Sequence, residues 1–424
     1  MALLLVIAMF ALFFIGVPVA ISLGFASTIA IWWDGTIPLI IVAQRLFTSV
    51  DLFPLMAIPF FILAGTLMEA GGISQRLINF ANALTGHMTG GLALVAVVTS
   101  MFFAAVSGSS AATVAAIGSI LIPAMIKRGY HKNFSGGIQS ISGELGVIIP
   151  PSIPMILYGV TTETSIRDMF IAGIIPGIFI GISLLLTVYI IAKKRGYKGD
   201  TNITWADRKK AFKEALLPLI MPVIILGGIY GGVFTPTEAG AVAVAYAFIV
   251  GVFVYKEIKW KEVIQLLSRS VVMSSIIMFI IANAGLFGWI LSREGVPQMA
   301  ASFFAGISDS PIIFLLIINA LLLFIGMFIE TSVSIILLAP LLMPVAMHMG
   351  IDPVHFGIIM IVNLAIGMCT PPLGVNLFIS CQIANISLIE ITKAIIPFLL
   401  VMIINVLIIS YVPWLSTWLV QLLN

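Results

Sequence analysis

The sequence predicts an all-α polytopic membrane protein built from two inverted copies of one unit, and three observations carry that prediction. Of its 424 residues 61% are hydrophobic and only 9% charged, with a mean hydropathy of +1.21; a soluble domain carries about 25% charge. Most apolar runs are uniform rather than amphipathic and approach the roughly 20 residues of a helical crossing. Sliding the second half over the first at a constant offset of 221 residues puts Pro123 on Pro344, Gly129 on Gly350, Gly136 on Gly357, Gly146 on Gly367 and Pro150-Pro151 on Pro371-Pro372. Six such matches at one offset, close to half the chain, indicate a duplication.

Repeat one is residues 1–192. Met1 to Ile15 is apolar but lacks the positive start and small-residue cleavage site of a signal peptide, so it reads as a retained membrane segment, and Gly16-Val17-Pro18 divides the run to Trp33 into two short helices. Asp51 to Glu69 is a clear span. Ser74 to His87 is amphipathic and fits the interface. A re-entrant hairpin follows at about 90–126, broken at Ser107-Gly-Ser-Ser110, then a broken helix at about 133–162, then the span Met169 to Ala192. Residues 193–213, Lys193 to Lys213, form a polar cytoplasmic linker.

Repeat two is residues 214–424. Its spans are Glu214 to Gly232, Glu238 to Tyr255, Val271 to Leu291 and Ile395 to Trp414. Lys261 to Arg269 reads as an interfacial piece, and Gly295 to Ser308 is the counterpart of Ser74 to His87. A second hairpin at about 311–347 has the polar tip Glu330-Thr331-Ser332, and a second broken helix covers about 355–385. The total is about ten crossings, two hairpins and both termini outside.

Charge orients the copies, because Lys and Arg collect in cytoplasmic loops. Lys127, Arg128 and Lys132, the linker, and Lys256, Lys259 and Lys261 mark three such loops. The repeat partner of the first, His348 to His355, has no Lys or Arg, which suits the opposite side. Inverted repeats of this kind are typical of secondary transporters.

Other functions lack their residues. With 20 Lys plus Arg against 17 Asp plus Glu there is no basic surface for nucleic acid. Cys369 and Cys381 have too few partners for a zinc site. His348 and His355 belong to no HExxH pattern, and without a Gly-Lys dipeptide there is no Walker A loop and no ATP-driven motor of that kind. Thr235-Pro-Thr-Glu238 has the pattern of a capping box, and Gly227, Gly228, Gly231 and Gly232 that of close helix packing.

Four polar, Gly- and Pro-rich interruptions remain: Ser107 to Thr113, Gly143 to Ser152, Glu330 to Ser334 and Gly367 to Asn376. Each frees backbone groups at lipid depth, which is costly unless an ion or substrate completes them. Taken singly they are explained by packing and kinking; paired at one offset they indicate two related sites near the bilayer midplane. Ser107, Ser109 and Ser110 with carbonyls around Gly146, Val147 and Pro150 offer the first set of hard neutral oxygens, suited to Na⁺. Thr331, Ser332 and Glu330 with carbonyls around Gly367, Met368 and Thr370 offer the second. Helix amides after Pro151 and Pro372 would face an anion. For Glu144 and Glu330, acids embedded in apolar sequence, proton relay, cation ligand and neutral structural acid are all open.

Ser107-Gly-Ser-Ser-Ala-Ala-Thr113, Gly146-Val-Ile-Ile-Pro-Pro-Ser152, Gly231-Gly-Val-Phe-Thr-Pro-Thr-Glu-Ala239 and Gly367-Met-Cys-Thr-Pro-Pro-Leu-Gly-Val-Asn376 together resemble the large membrane subunit of tripartite ATP-independent periplasmic (TRAP) transporters, over nearly the whole chain. The resemblance implies an elevator-type secondary transporter with an architecture like that of the ion transporter superfamily, in the bacterial inner membrane. It implies sodium-coupled import of an organic acid, with sialic acid the first expectation and a C4-dicarboxylate the second. The implied partners are a small four-helix membrane subunit, expected to be a separate chain, and a soluble periplasmic substrate-binding protein. Carried onto this sequence, one Na⁺ lies at the first hairpin serines with Gly146, Val147 and Pro150. A second lies at Glu330-Thr331 with Gly367, Met368 and Thr370. The substrate lies near Ser107, Ser109, Ser152 and Asn376. A passive channel or facilitator for small anions is the competing reading; a membrane-embedded enzyme would need a nucleophile with its base or a metal triad, and neither is found.

Overall fold

The structure, a computed structural model, describes residues 1–199, 203–307 and 310–423, and among them helices are the only regular elements. Repeat one opens with α1 (Ala2–Phe14) and α2 (Val19–Asp34), separated at Gly16-Val17-Pro18 as the sequence indicates. At about 1.5 Å per residue both are shorter than a bilayer core. The chain continues through α3 (Ile40–Thr48), a 3-10 turn leading into α4 (Ala57–Ala70), and the amphipathic α5 (Ile73–Thr85). The first hairpin is α6 (Gly91–Ser107) and α7 (Ser110–Lys127). The broken helix is α8 (Lys132–Gly143), α9 (Leu145–Ile148) and α10 (Ile153–Thr161), bent by 42°, and α11 (Ile166–Lys194) closes the repeat.

Repeat two holds α12 (Trp205–Tyr230), α13 (Pro236–Phe248) with a π-helical extension, α14 (Trp260–Arg293) and α15 (Val296–Ile307). Its hairpin is α16 (Pro311–Gly326) and α17 (Thr331–His348), its broken helix α18 (Pro353–Met368) and α19 (Val375–Ala384), and α20 (Leu388–Tyr411) and α21 (Trp414–Leu423) end it. Shifted by 221 residues, α7 has the bounds of α17, and cis peptide bonds precede Pro151 and Pro372 at equivalent positions. Eight helices are long and apolar enough to cross a membrane among the described residues, or nine with the bent pair, and α7 and α17 are two of the eight. Part of the linker, residues 200–202, and the end of the Gly295 to Ser308 piece lie outside the described residues.

One expectation changes. Lys261 to Arg269 is not a separate interfacial piece but the first turns of α14, because nothing between Arg269 and Val271 breaks a helix. Its counterpart at the same offset is α3, which ends at Thr48, with Leu52 extended ahead of the Pro54-containing turn. The capping box at Thr235 is present: the Thr235 amide donates to Glu238 at 2.8 Å and Thr235 Oγ1 accepts from the Glu238 amide at 3.3 Å.

Packing separates the helices into two groups. α1, α2, α3, α4, α13 and α14 pack on one another, with α12 against α13; the two hairpins, the broken helices, α11, α20 and α21 form the other group. Helix α5 bridges them, packing on both α12 and α6. Ile178, Ile182, Leu186 and Ile190 repeat every four residues along α11 and stay exposed, a stripe suited to lipid.

Candidate substrate and cation site

The hairpin tips are built by local capping. At the first, Gly108 takes a positive φ of +62° and Ser109 caps α7 by accepting from the Ala112 amide at 3.4 Å. Its repeat equivalent, Glu330, caps α17: the carboxylate accepts from the Ser332 amide at 2.8 Å, the Val333 amide at 3.3 Å and the Ser332 hydroxyl at 3.0 Å. Glu330 is thereby held at a helix N-terminus, where negative charge is favoured.

Each tip sits on the break in its own repeat. The Ile153 amide donates to the Gly108 carbonyl at 3.3 Å, and Gly374, the repeat equivalent of Ile153, donates its amide to the Met327 carbonyl at 3.4 Å. Glycines permit the approach. A Cβ at Gly146 would lie 2.5 Å from both the Ser109 carbonyl oxygen and Thr113 Oγ1, and one at Gly326 would lie 3.0 Å from Gly367 Cα. Ser107 Oγ lies 2.9 Å from Thr113 Oγ1, which donates to the Ser109 carbonyl at 2.8 Å. Ser107, Ser109 and Thr113 are therefore joined by hydrogen bonds at the tip, packed against Gly146 so closely that a single methyl there would collide with them.

The tips also meet each other. Ser110 Oγ of the first approaches the Met368 sulfur at 3.6 Å and Thr331 Oγ1 of the second approaches it at 3.0 Å. A cavity of about 370 Å³ lies between the tips, lined by Ser107, Ser109, Val147, Glu330 and Ser332 from the hairpin group and by Thr66, Glu69 and Arg269 from the other.

Other expected residues lie beside the cavity rather than on its lining. The Ser152 hydroxyl, fully buried, donates to the Val147 carbonyl at 2.6 Å. Thr370 Oγ1 donates to the Ile366 carbonyl at 2.8 Å, and the Gly367 carbonyl accepts from the Thr370 amide at 2.8 Å. Pro150 is buried at the first break. Asn376 is buried away from the cavity and donates to Glu144 Oε1 at 2.6 Å; the Cys369 thiol reaches the same oxygen at 2.7 Å. This link ties the two broken helices together, and only the embedding of Glu144 in apolar sequence pointed to it. Thr66, Glu69 and Arg269 were missed: Glu69 and Arg269 fall at the edges of an apolar span and of a polar piece, where a charge reads as a solvated end.

The match to known proteins covers nearly the whole chain. The family described as "Tripartite ATP-independent periplasmic transporter, DctM component" matches residues 6–415. The chain belongs to that family. This large TRAP permease is 43% identical to the C4-dicarboxylate TRAP transporter large permease protein DctM of Vibrio cholerae, over 99% of this chain and 97% of that one. It is 40% identical to the sialic acid TRAP transporter large permease protein SiaM of the same organism, over 95% and 94%. The isethionate TRAP transporter permease protein DctMQ of Oleidesulfovibrio alaskensis is 47% identical over 95% of this chain, which spans 64% of that relative's length. In fold, the permease is similar to the crystal structure of the Alcanivorax borkumensis YdaH transporter, described as having an unusual topology, with a TM-score of 0.65 and 15% identity over 90% of this chain and 89% of that one.

Proposed function

We propose that the permease imports a small organic acid across the bacterial inner membrane, driven by sodium, with the hairpins and broken helices moving as one body past a fixed frame. The observation that carries this reading is the paired arrangement of tips: each hairpin ends on the break of its own repeat, and the cavity lies between the tips and the other helix group. Broken helices facing one another near the midplane are how inverted-repeat transporters hold substrate and coupling ions.

The donor set fits Na⁺, a hard cation served by hydroxyls and carbonyls. Ser107, Thr113 and the carbonyls around Ser109, Gly146, Val147 and Pro150 would hold one. Ser110, Thr331, Glu330 and the backbone around Gly367, Met368 and Thr370 would hold the other. Ser107 and Ser109 would touch the acid, with Ser152 and Asn376 as buried supports. The named relatives carry sialic acid, C4-dicarboxylates or isethionate, so the cargo class is a compact organic anion. A small membrane subunit and a periplasmic binding protein complete the assembly.

Proteoliposomes holding the permease with its small subunit, supplied with the binding protein and given an inward sodium gradient without nucleotide, test this directly. Labelled N-acetylneuraminate, succinate and isethionate form the panel. Uptake of one of them should require sodium. Uptake that continues unchanged after choline replaces sodium refutes the coupling, and equilibration without accumulation returns the passive facilitator.

A further inference from the structure

The cavity between the tips carries one cation, Arg269 of α14, and that guanidinium makes no hydrogen bond or ion pair among the described residues. It stands above Met273, Ile276, Ile277 and Ile280, which continue the same face of α14 along the cavity wall. Of the two carboxyl groups on the lining, Glu330 is engaged in capping α17. Glu69 is not: it has no partner among the described residues. An unpaired guanidinium on a largely apolar wall opposite serine hydroxyls and two helix N-termini is suited to a carboxylate, which it can bind through two parallel N–H bonds.

The location of Arg269 and Glu69 defines the side from which the cavity is entered. Arg269 follows Lys261 by eight residues of continuous helix, about 12 Å at 1.5 Å per residue, and Lys256, Lys259 and Lys261 mark a cytoplasmic loop by the distribution of positive charge. Glu69 ends α4 beside the same loop: a Cβ on Gly71 would lie 3.3 Å from Gly251 Cα, and Arg76 pairs with Glu257 at 3.2 Å while lying 3.7 Å above the Tyr255 ring. Both charges therefore stand at the cytoplasmic rim.

We infer that Arg269 is the residue that holds the carboxylate or sulfonate of the organic acid where the cavity opens to the cytoplasm, with Glu69 the opposing charge on the same lining. The inference rests on the organic-acid reading above. Because Arg269 belongs to the frame and the serines to the hairpins, the contact exists only while the tips face the cytoplasm. It therefore sets affinity from inside and not from outside. Glu69, a carboxylate on the same lining, repels the bound anion, which promotes release.

Oriented proteoliposomes containing the permease and its small subunit, assayed by exchange of labelled succinate, N-acetylneuraminate or isethionate, separate the two faces. Losing a charge-assisted bond in a partly wet cavity should raise the half-saturating concentration on the cytoplasmic side about 10-fold in Arg269→Gln, with the periplasmic side unchanged. Arg269→Lys should recover part of the loss, and Glu69→Gln should shift the cytoplasmic value in the opposite direction. Equal values for Arg269→Gln and wild type on the cytoplasmic face, or equal losses on both faces, overturn the inference while the transport reading stands. Wild-type protein that exchanges none of the three acids overturns both.

Discussion

Replacing Gly146 by Ala places a methyl group where the first hairpin tip already sits. The new Cβ would stand 2.5 Å from the Ser109 carbonyl oxygen and from Thr113 Oγ1, about 0.9 Å inside the 3.4 Å at which ordinary contact begins. Neither neighbour can swing aside, since one is backbone and the other is tied at 2.8 Å to that same carbonyl. The tip must lift off the break, and overpacking of this kind costs about 1–3 kcal/mol. Charged to the sodium-loaded state, that is a loss of about 5-fold to 150-fold in sodium affinity. Gly65 supplies the control, because a Cβ there meets the Ser107 backbone at an ordinary 3.7 Å. The assay is the sodium-activation curve of substrate uptake in proteoliposomes, with thermal melting in detergent to confirm folding. Gly146→Ala should shift the curve to much higher sodium and Gly65→Ala should leave it in place. Coincident curves for Gly146→Ala and wild type refute the placement of a cation at this tip.

Three further outcomes follow from the same contacts. Ser107→Ala, Ser110→Ala and Thr331→Ala each remove one neutral oxygen, so each should weaken sodium activation or substrate affinity by about 5-fold to 150-fold, from about 1–3 kcal/mol; wild-type curves in all three return these hydroxyls to packing. Glu144→Ala strips the acceptor from Asn376 and Cys369 and should melt well below Glu144→Gln, which keeps a carbonyl there; equal melting temperatures in a detergent scan refute the link. A disulfide between hairpin and frame should stop transport until it is reduced. Val114 is unsuited to this, being buried against Gly143 within the hairpin group, so the pair is Gly65→Cys with Ser107→Cys, judged against Ser107→Cys alone; rapid uptake in the cross-linked protein refutes the moving-body picture.

Much of the fold was legible because the duplication punctuates itself. Helix-breaking residues recur at one offset, and the breaks at Pro150-Pro151 and Pro371-Pro372 fall where the helices stop. The elements that escaped notice did so for local reasons. The amphipathic α3 and the short α21 are each about ten residues long, below the length at which an apolar run announces a crossing. In α14 composition changes from polar to apolar without any backbone signal, so a change of solvent was read as a change of element. The hairpin serines were visible as polar residues in apolar surroundings. The Glu144–Asn376 pair was not, since its partners are separated by 232 positions and nothing in either neighbourhood names the other. Arg269 shows the same limit, because whether a charge faces water or a cavity is decided by the helices packed around it.

Met368 has a role that no single tip explains. Its sulfur is the shared acceptor of Ser110 from one repeat and Thr331 from the other, so a ligand that draws either hydroxyl away frees the thioether for the other. Thioethers are weak acceptors on a flexible stem, which makes such an exchange inexpensive. Two sites joined through one soft group are thermodynamically linked, and linkage is reciprocal: whatever occupancy at the first tip does to affinity at the second, the second does equally to the first. Because a freed thioether holds the remaining hydroxyl more firmly, a ligand drawn to one tip would make the other tip harder to open, so a sulfur atom between the repeats would let the two tips answer one another with opposite sign.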